Sequence, residues 1–337
     1  MRIRTQGSPD LVQSARRLAD YAARQWCAWR SCHPGEKQAA WQGGVTLLSS
    51  EGTFAGTHGA ELFYRSLVPV TSPKAAVIIL HGLGDHSGGM QAISKYLCEH
   101  HYATYSFDLR GHGKSPGTRG YVSRWEDYRR DLHAFHQIVQ ELHADLPLFL
   151  VAHSLGGLIC LDYCLHEDTG IAGLAAIAPA LSYTFKPMEK WLILLMSCIK
   201  PDYTVEKPVH SRSARGSDRN SWNHGDSLRH QIVTPGLGRG MITALSSLQK
   251  HSSSIQVPFL LQYGTADRVT PPEQLREFFA RIGSRDKQQI AYEHMRHRPF
   301  DEEGNSAFLA DLLNWLEDRS TSRTSNSDTT IHCGSCL

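Results

Sequence analysis

The reading of this chain turns on one stretch: Leu148-Phe149-Leu150-Val151-Ala152-His153-Ser154-Leu155-Gly156-Gly157-Leu158-Ile159. An apolar strand runs straight into a small-x-Ser-x-Gly turn, and the turn runs straight into an apolar helix. A serine on such a turn sits on strained backbone, with its hydroxyl at the strand end above the N-terminus of the next helix. Strand and helix crowd each other there, so the positions two before and two after the serine must be small. Ala152 and Gly156 meet that demand, Ala152 with one methyl more than the usual Gly. The strand before and the helix after distinguish a nucleophile elbow from a serine in an ordinary Gly-rich turn.

Outward from the elbow the same alternation repeats. Ala75–Leu80 is an apolar run without polar alternation, as expected of a strand covered on both faces. Ala103–Phe107, Leu146–Val151, Ile171–Ile177, Val257–Gln262 and Gln289–Tyr292 follow the pattern. Helical stretches lie between them, the clearest with Trp125, Tyr128, Leu132, Phe135, Val139 and Leu142 on one stripe. Strands alternating with helices define an α/β class protein with a mainly parallel sheet. Only 181–255 breaks the alternation, with helical stretches, several prolines, the polar run Ser211–Asn223 and an all-apolar run Trp191–Met196. A helical cap inserted over the carboxyl edge of the sheet fits that segment, and so does an ordinary buried helix.

Composition narrows the function classes. The 337 residues carry 35 Lys+Arg against 33 Asp+Glu, a net charge of +2 that calls for no nucleic-acid partner. No apolar run approaches the ~20 residues a bilayer span needs. Residues 1–45 read as a helical extension. Leu11, Ala15, Leu18, Ala22, Trp26 and Trp29 recur at helical spacing and Arg16, Arg17, Arg24 and Arg30 make a basic face. Packing on the body and lying on an anionic membrane are both open for it. The main domain is expected over 46–318, and the Ser/Thr-rich residues 319–337 read as a disordered tail. No secretory signal pattern stands at Met1, so the eight cysteines read as reduced thiols of a cytoplasmic protein. Cys333-Gly-Ser-Cys336 is a lone pair without the second pair a zinc site needs. His133, His136 and His143 lack acidic partners, so no metal is expected.

A serine hydroxyl needs a base, and the base needs an acid to orient it. Downstream, Phe259–Gly264 leads to Thr265-Ala266-Asp267, with Asp286 and Asp301 as alternatives. Ile290–Tyr292 leads to His294 and His297. An oxyanion needs backbone N–H donors. Leu155, following the nucleophile, offers one, and Leu83 in the His81-Gly82-Leu83-Gly84 loop offers the second.

His81-Gly82-Leu83-Gly84-Asp85-His86-Ser87, Asp108-Leu109-Arg110-Gly111-His112-Gly113-Lys114-Ser115, the elbow, Gly264-Thr265-Ala266-Asp267 and Tyr292–His297 occur in that order. Together they resemble the monoacylglycerol lipase and lysophospholipase branch of the α/β hydrolases, over about Glu51–Arg319. The resemblance implies an eight-stranded sheet, a helical cap, no cofactor, and a Ser154, Asp267, His297 triad. It also implies substrate contacts at His153 and Asp85. Two departures stand out: Gly88-Gly89 where relatives often carry a basic residue, and His294 where the residue three before the histidine is usually Gly. The expected function is a serine hydrolase acting on a small-molecule lipid ester, with peripheral membrane contact through the cap or the N-terminal helix. A small-ester carboxylesterase, a thioesterase and a catalytically silent ligand-binding scaffold are the alternatives.

Overall fold

The computed structural model describes residues 37–42, 45–167, 169–181, 186–206 and 225–320. The helix expected over Leu11–Trp29, the polar run 211–223 and both tail cysteines lie outside them. Nine strands form one sheet. They are β1 (Lys37–Gln42), β2 (Val45–Ala55), β3 (Glu61–Pro69), β4 (Ala75–Leu80), β5 (Tyr102–Phe107), β6 (Leu148–His153), β7 (Gly173–Ile177), β10 (Phe259–Gly264) and β11 (Lys287–Tyr292). Their order is β1-β2-β3-β5-β4-β6-β7-β10-β11, parallel from β5 to β11 and antiparallel from β1 to β5. Eight strands were expected; the ninth is β1, added at the antiparallel edge. The sheet therefore begins inside 1–45, the segment read as a helical extension.

The central strands are mostly apolar because both faces are covered. Along β4, Ala76, Ile78 and Leu80 join one core and Ala75, Val77 and Ile79 the other. Each Ile or Leu so buried stabilises the fold by roughly 1.5–3 kcal/mol. Helices α1 (Gln91–Glu99) and α7 (Ser306–Ser320) cover one face. Helices α2 (Trp125–Leu142), α3 (Leu155–His166), α5 (Pro235–His251) and α6 (Pro272–Arg281) cover the other. Helix α7 runs through Ser320, past the boundary expected for the tail.

The segment between β7 and β10 has two parts. Helix α4 (Pro187–Ile199) is largely exposed, and β8 (Val205–Glu206) pairs with β9 (Ile232–Val233) in a short ribbon. In contrast, α5 buries Leu237, Met241, Ala244, Leu245 and Leu248 in the main core. The insertion expected over 181–255 thus ends at about Thr234, whose hydroxyl caps α5 by accepting the Leu237 amide at 3.2 Å. No helix among the described residues is long and apolar enough to cross a membrane.

Candidate active site

At the end of β6 the backbone makes the turn that the elbow sequence requires. Ser154 has φ 51° and ψ −115°, off the ordinary regions for an L residue. The turn is held on three sides. The Ser154 amide donates to Ile177 O at 3.0 Å, while its carbonyl accepts from Ala180 at 2.9 Å and Leu158 at 3.1 Å. Gly156 is obligatory here: a Cβ on it would lie 2.6 Å from His81 O and 2.9 Å from the Leu80 Cβ. The loop after β4 passes equally close, since a Cβ on Gly82 would lie 3.0 Å from the Ser154 Cβ.

Two further strand ends deliver the partners. Ser154 Oγ lies 3.0 Å from His297 Nε2, and His297 Nδ1 lies 2.8 Å from Asp267 Oδ2. A carboxylate facing Nδ1 can accept its proton, which turns Nε2 toward the serine hydroxyl. Asp267 is itself fixed. Its Oδ1 accepts the amides of Val269 at 2.7 Å and Thr270 at 3.0 Å, and its Oδ2 accepts the Thr270 hydroxyl at 2.6 Å. Burial raises its pKa, but the hydrogen bonds and charge of His297 and the Thr270 contacts outweigh burial and hold the carboxyl below its ordinary value. The loops carrying Asp267 and His297 are joined by Ala266 N to Met295 O at 2.9 Å. A Cβ on Gly264 would meet that Met295 oxygen at 2.0 Å.

Ser154, Asp267 and His297 therefore converge, whereas the alternatives do not. Asp286 pairs with Arg319 and Asp301 with Arg298, and His294 is exposed. Neither the Leu83 nor the Leu155 amide finds an acceptor among the described residues. Leu155 opens α3 directly after Ser154 and Leu83 stands on the loop after β4, so both flank the serine as donors to an oxyanion would.

The expected substrate contacts at His153 and Asp85 meet burial instead. His153 is 3% exposed, and its Nε2–H donates to the carbonyl of His297 at 2.9 Å. Burial and the neighbouring His297 and Arg298 charges hold its pKa well below the usual range, so it is a neutral brace under the base. Asp85 is 1% exposed, with both carboxylate oxygens bound by Arg229 and Arg298. Thr270, Arg229 and Arg298 are the contributors that sequence reading missed. Adjacency to His297 was the one available signal for Arg298, and none pointed to Arg229.

A crossover sheet bearing a serine elbow, with an Asp–His pair brought up from the last strands, is the architecture of an α/β hydrolase. The model of the serine aminopeptidase S33 family matches residues 71–304, more than half of the chain, and the chain belongs to that family. It is 27% identical over 270 residues to the monoglyceride lipase of Rattus norvegicus, covering 77% of this chain and 88% of that protein. It is 28% identical over 279 residues to an uncharacterized abhydrolase domain-containing protein of Dictyostelium discoideum, of whose length it spans 29%. The crystal structure of Paleococcus ferrophilus monoacylglycerol lipase superposes with a TM-score of 0.69 at 28% identity, covering 77% of this chain and 99% of that one.

Proposed function

We propose that this chain hydrolyses the ester bond of a single-chain lipid, a monoacylglycerol or lysophospholipid, through Ser154, His297 and Asp267. The observation that carries the reading is the hydrogen-bonded line from Ser154 through His297 to Asp267, flanked by two amides without acceptors. Ser154 Oγ attacks the acyl carbonyl carbon as His297 Nε2 takes its proton. The Asp267 carboxylate holds the resulting imidazolium, and the Leu83 and Leu155 amides donate to the oxyanion. Collapse of the tetrahedral species expels the alcohol, which takes its proton from His297. Water then attacks the acyl-serine with His297 again as base, and the fatty acid leaves.

The lipid assignment draws on the names of the relatives and on α4. That helix exposes Met188 (79%), Trp191 (64%), Leu192 (51%) and Ile199 (66%), with Lys186 and Lys190 beside Glu189 at one end and Lys200 paired with Asp202 at the other. An apolar face with cations beside it suits an anionic lipid surface from which substrate would be drawn. A catalytically silent scaffold is disfavoured, since no member of the triad is lacking.

The test is hydrolysis of p-nitrophenyl esters from acetate to palmitate, with Ser154→Ala alongside. Loss of the nucleophile should lower the rate ~10⁴-fold or more, with a wild-type preference for long chains. A preference for acetate or butyrate would replace this reading with a small-ester carboxylesterase, and faster cleavage of acyl thioesters would point to a thioesterase. Activity surviving in Ser154→Ala would remove the triad assignment.

A further inference from the structure

The buried carboxylate of Asp85 sits where three pieces of chain meet. On its own loop, the Asp85 amide donates to Gly82 O at 3.2 Å and closes the turn that carries Leu83. From the loop after β11, Arg298, the residue following His297, binds Asp85 Oδ2 and also donates to Gly89 O at 2.9 Å. From the segment before β9, Arg229 Nε binds Asp85 Oδ1 at 2.9 Å. The charges alternate outward from there. Arg298 Nε donates to Asp301 Oδ2 at 2.6 Å, and Arg229 Nε lies 3.6 Å from Asp226, which accepts from His86 Nε2 at 2.8 Å. The same inserted segment is stitched to the oxyanion loop through its backbone, His230 N to Gly84 O at 2.9 Å.

Asp85 is 1% exposed while Arg229 and Arg298 are 14% and 12% exposed, so the three charges have little water to fall back on. A buried carboxylate held by two guanidinium groups fixes direction as well as distance, since each guanidinium is planar and offers several N–H groups. Nothing reaches Asp85 from solvent and it touches no reacting atom. Its geometric effect falls on its neighbours, Leu83 two residues before it and His297 one residue before Arg298.

We propose that Asp85 is a positioning residue for catalysis: through Arg298 it locks the oxyanion loop to the loop of the catalytic histidine, and through Arg229 it ties both to the inserted segment that precedes α5. The inference rests on the hydrolase reading above. It makes the spacing between the Leu83 amide, Ser154 and His297 depend on one ion cluster, and it makes the inserted segment part of that spacing. Misplacing an oxyanion donor or a base by about 1 Å is worth on the order of 10²-fold in rate.

The experiment is steady-state kinetics on one soluble p-nitrophenyl ester for Asp85→Asn, Asp85→Glu, Arg298→Gln and Arg229→Gln, with thermal unfolding of each. Asp85→Asn should lower kcat about 10²-fold with KM changed less than about threefold, and Asp85→Glu should recover most of that loss. Arg298→Gln should lower kcat comparably, and Arg229→Gln about tenfold, because only the tie to the inserted segment is cut. Folded Asp85→Asn with full kcat and a lowered Tm would overturn the proposal and leave Asp85 a structural ion pair. Should Asp85→Asn fail to fold, Arg229→Gln decides, and unchanged kcat there overturns the tie. Wild-type protein that cleaves no ester and takes no fluorophosphonate at Ser154 would remove the hydrolase reading itself, a result none of these variants can mimic.

Discussion

Ser154 (φ 51°) and His294 (φ 64°) both occupy left-handed backbone, for opposite reasons. At Ser154 the conformation aims the hydroxyl at His297, and surrounding hydrogen bonds hold a strain of about 1–3 kcal/mol in place. At His294 the loop merely has to turn, and a side chain with a Cβ resists the turn. Its ring is exposed and its amide donates to Thr265 Oγ1 at 3.0 Å, a bond that any residue would keep. His294→Gly should therefore leave ester hydrolysis unchanged and raise stability by up to about 1 kcal/mol, partly offset by the freedom Gly gains in the unfolded chain. Denaturant unfolding checks it; a loss above 1 kcal/mol would mean that the ring makes a contact of its own. Ser154 was legible as a residue because it directly follows an apolar strand, whereas Asp267 stands three residues past β10 and His297 five past the largely exposed β11, so each had rivals in the sequence. The burial of Asp85 was not legible, because its partners, Arg229 and Arg298, lie 144 and 213 positions away, and burial created at that range leaves no local trace.

Among the elements, parallel strands were easy to read and antiparallel ones were not. Strands β4 to β7 and β10 are buried along their length, so each shows as a largely apolar run, interrupted by Thr104 and Ser106 in β5, His153 at the end of β6 and Gln262 in β10. Strands β2 and β3 went unrecognised: β2 mixes Ser, Thr, Glu and Gly with its apolar residues, and Glu61 and Arg65 interrupt β3. Helix α4 was legible as apolar all round, but what should cover it was not. Its inner contact is with α5, where a Cβ on Gly238 would meet Ile193 at 2.9 Å. The outer residues Trp191, Leu192 and Leu195 remain exposed at 64%, 51% and 40%. If that face docks on lipid, Leu192→Glu combined with Leu195→Glu should weaken pelleting with anionic vesicles at least about tenfold, since each change removes apolar contact and adds repulsion. Hydrolysis of a soluble short ester should stay within about twofold, because neither side chain reaches the triad. Equal pelleting of wild type and variant would end the lipid-surface reading of α4.

Across the whole molecule, the described histidines divide by burial. His81, His112, His136, His143, His153 and His230 all have pKa values pushed down, in each case first by burial, and those of His143 and His230 fall to about 4. They are spread through the fold. His143 meets the Tyr105 hydroxyl at 2.7 Å at the C-terminal end of α2, while His81, His112 and His230 form a row of tilted ring contacts at the loop after β4, with centroid distances of 5.4 and 4.8 Å. Sequence reading saw an abundance of histidine but not this burial, because the order of strands and the path of the inserted segment decide which rings leave water. The consequence for stability has a definite sign. An unfolded chain takes up protons on these rings near pH 6.5, whereas the folded chain does so only well below that, so acid favours unfolding. Their contribution is complete above about pH 6.5 and is lost as pH falls toward 4, each ring adding at most ~1.4 kcal/mol per pH unit to the slope. Asp85 and Asp267 also have lowered values, but their contribution is lost only below the ordinary carboxylate range, under about pH 4. Unfolding free energy measured in denaturant at about pH 7.5, 6 and 5 should therefore fall, before Asp85 and Asp267 titrate. The double variant Tyr105→Phe, His143→Phe removes one buried ring and should flatten the curve by one ring's share. A free energy constant from pH 7.5 to 5 would show that these rings take up protons in the folded chain as readily as in the unfolded one, and the neutral row of rings at the loop after β4 would have to be given up.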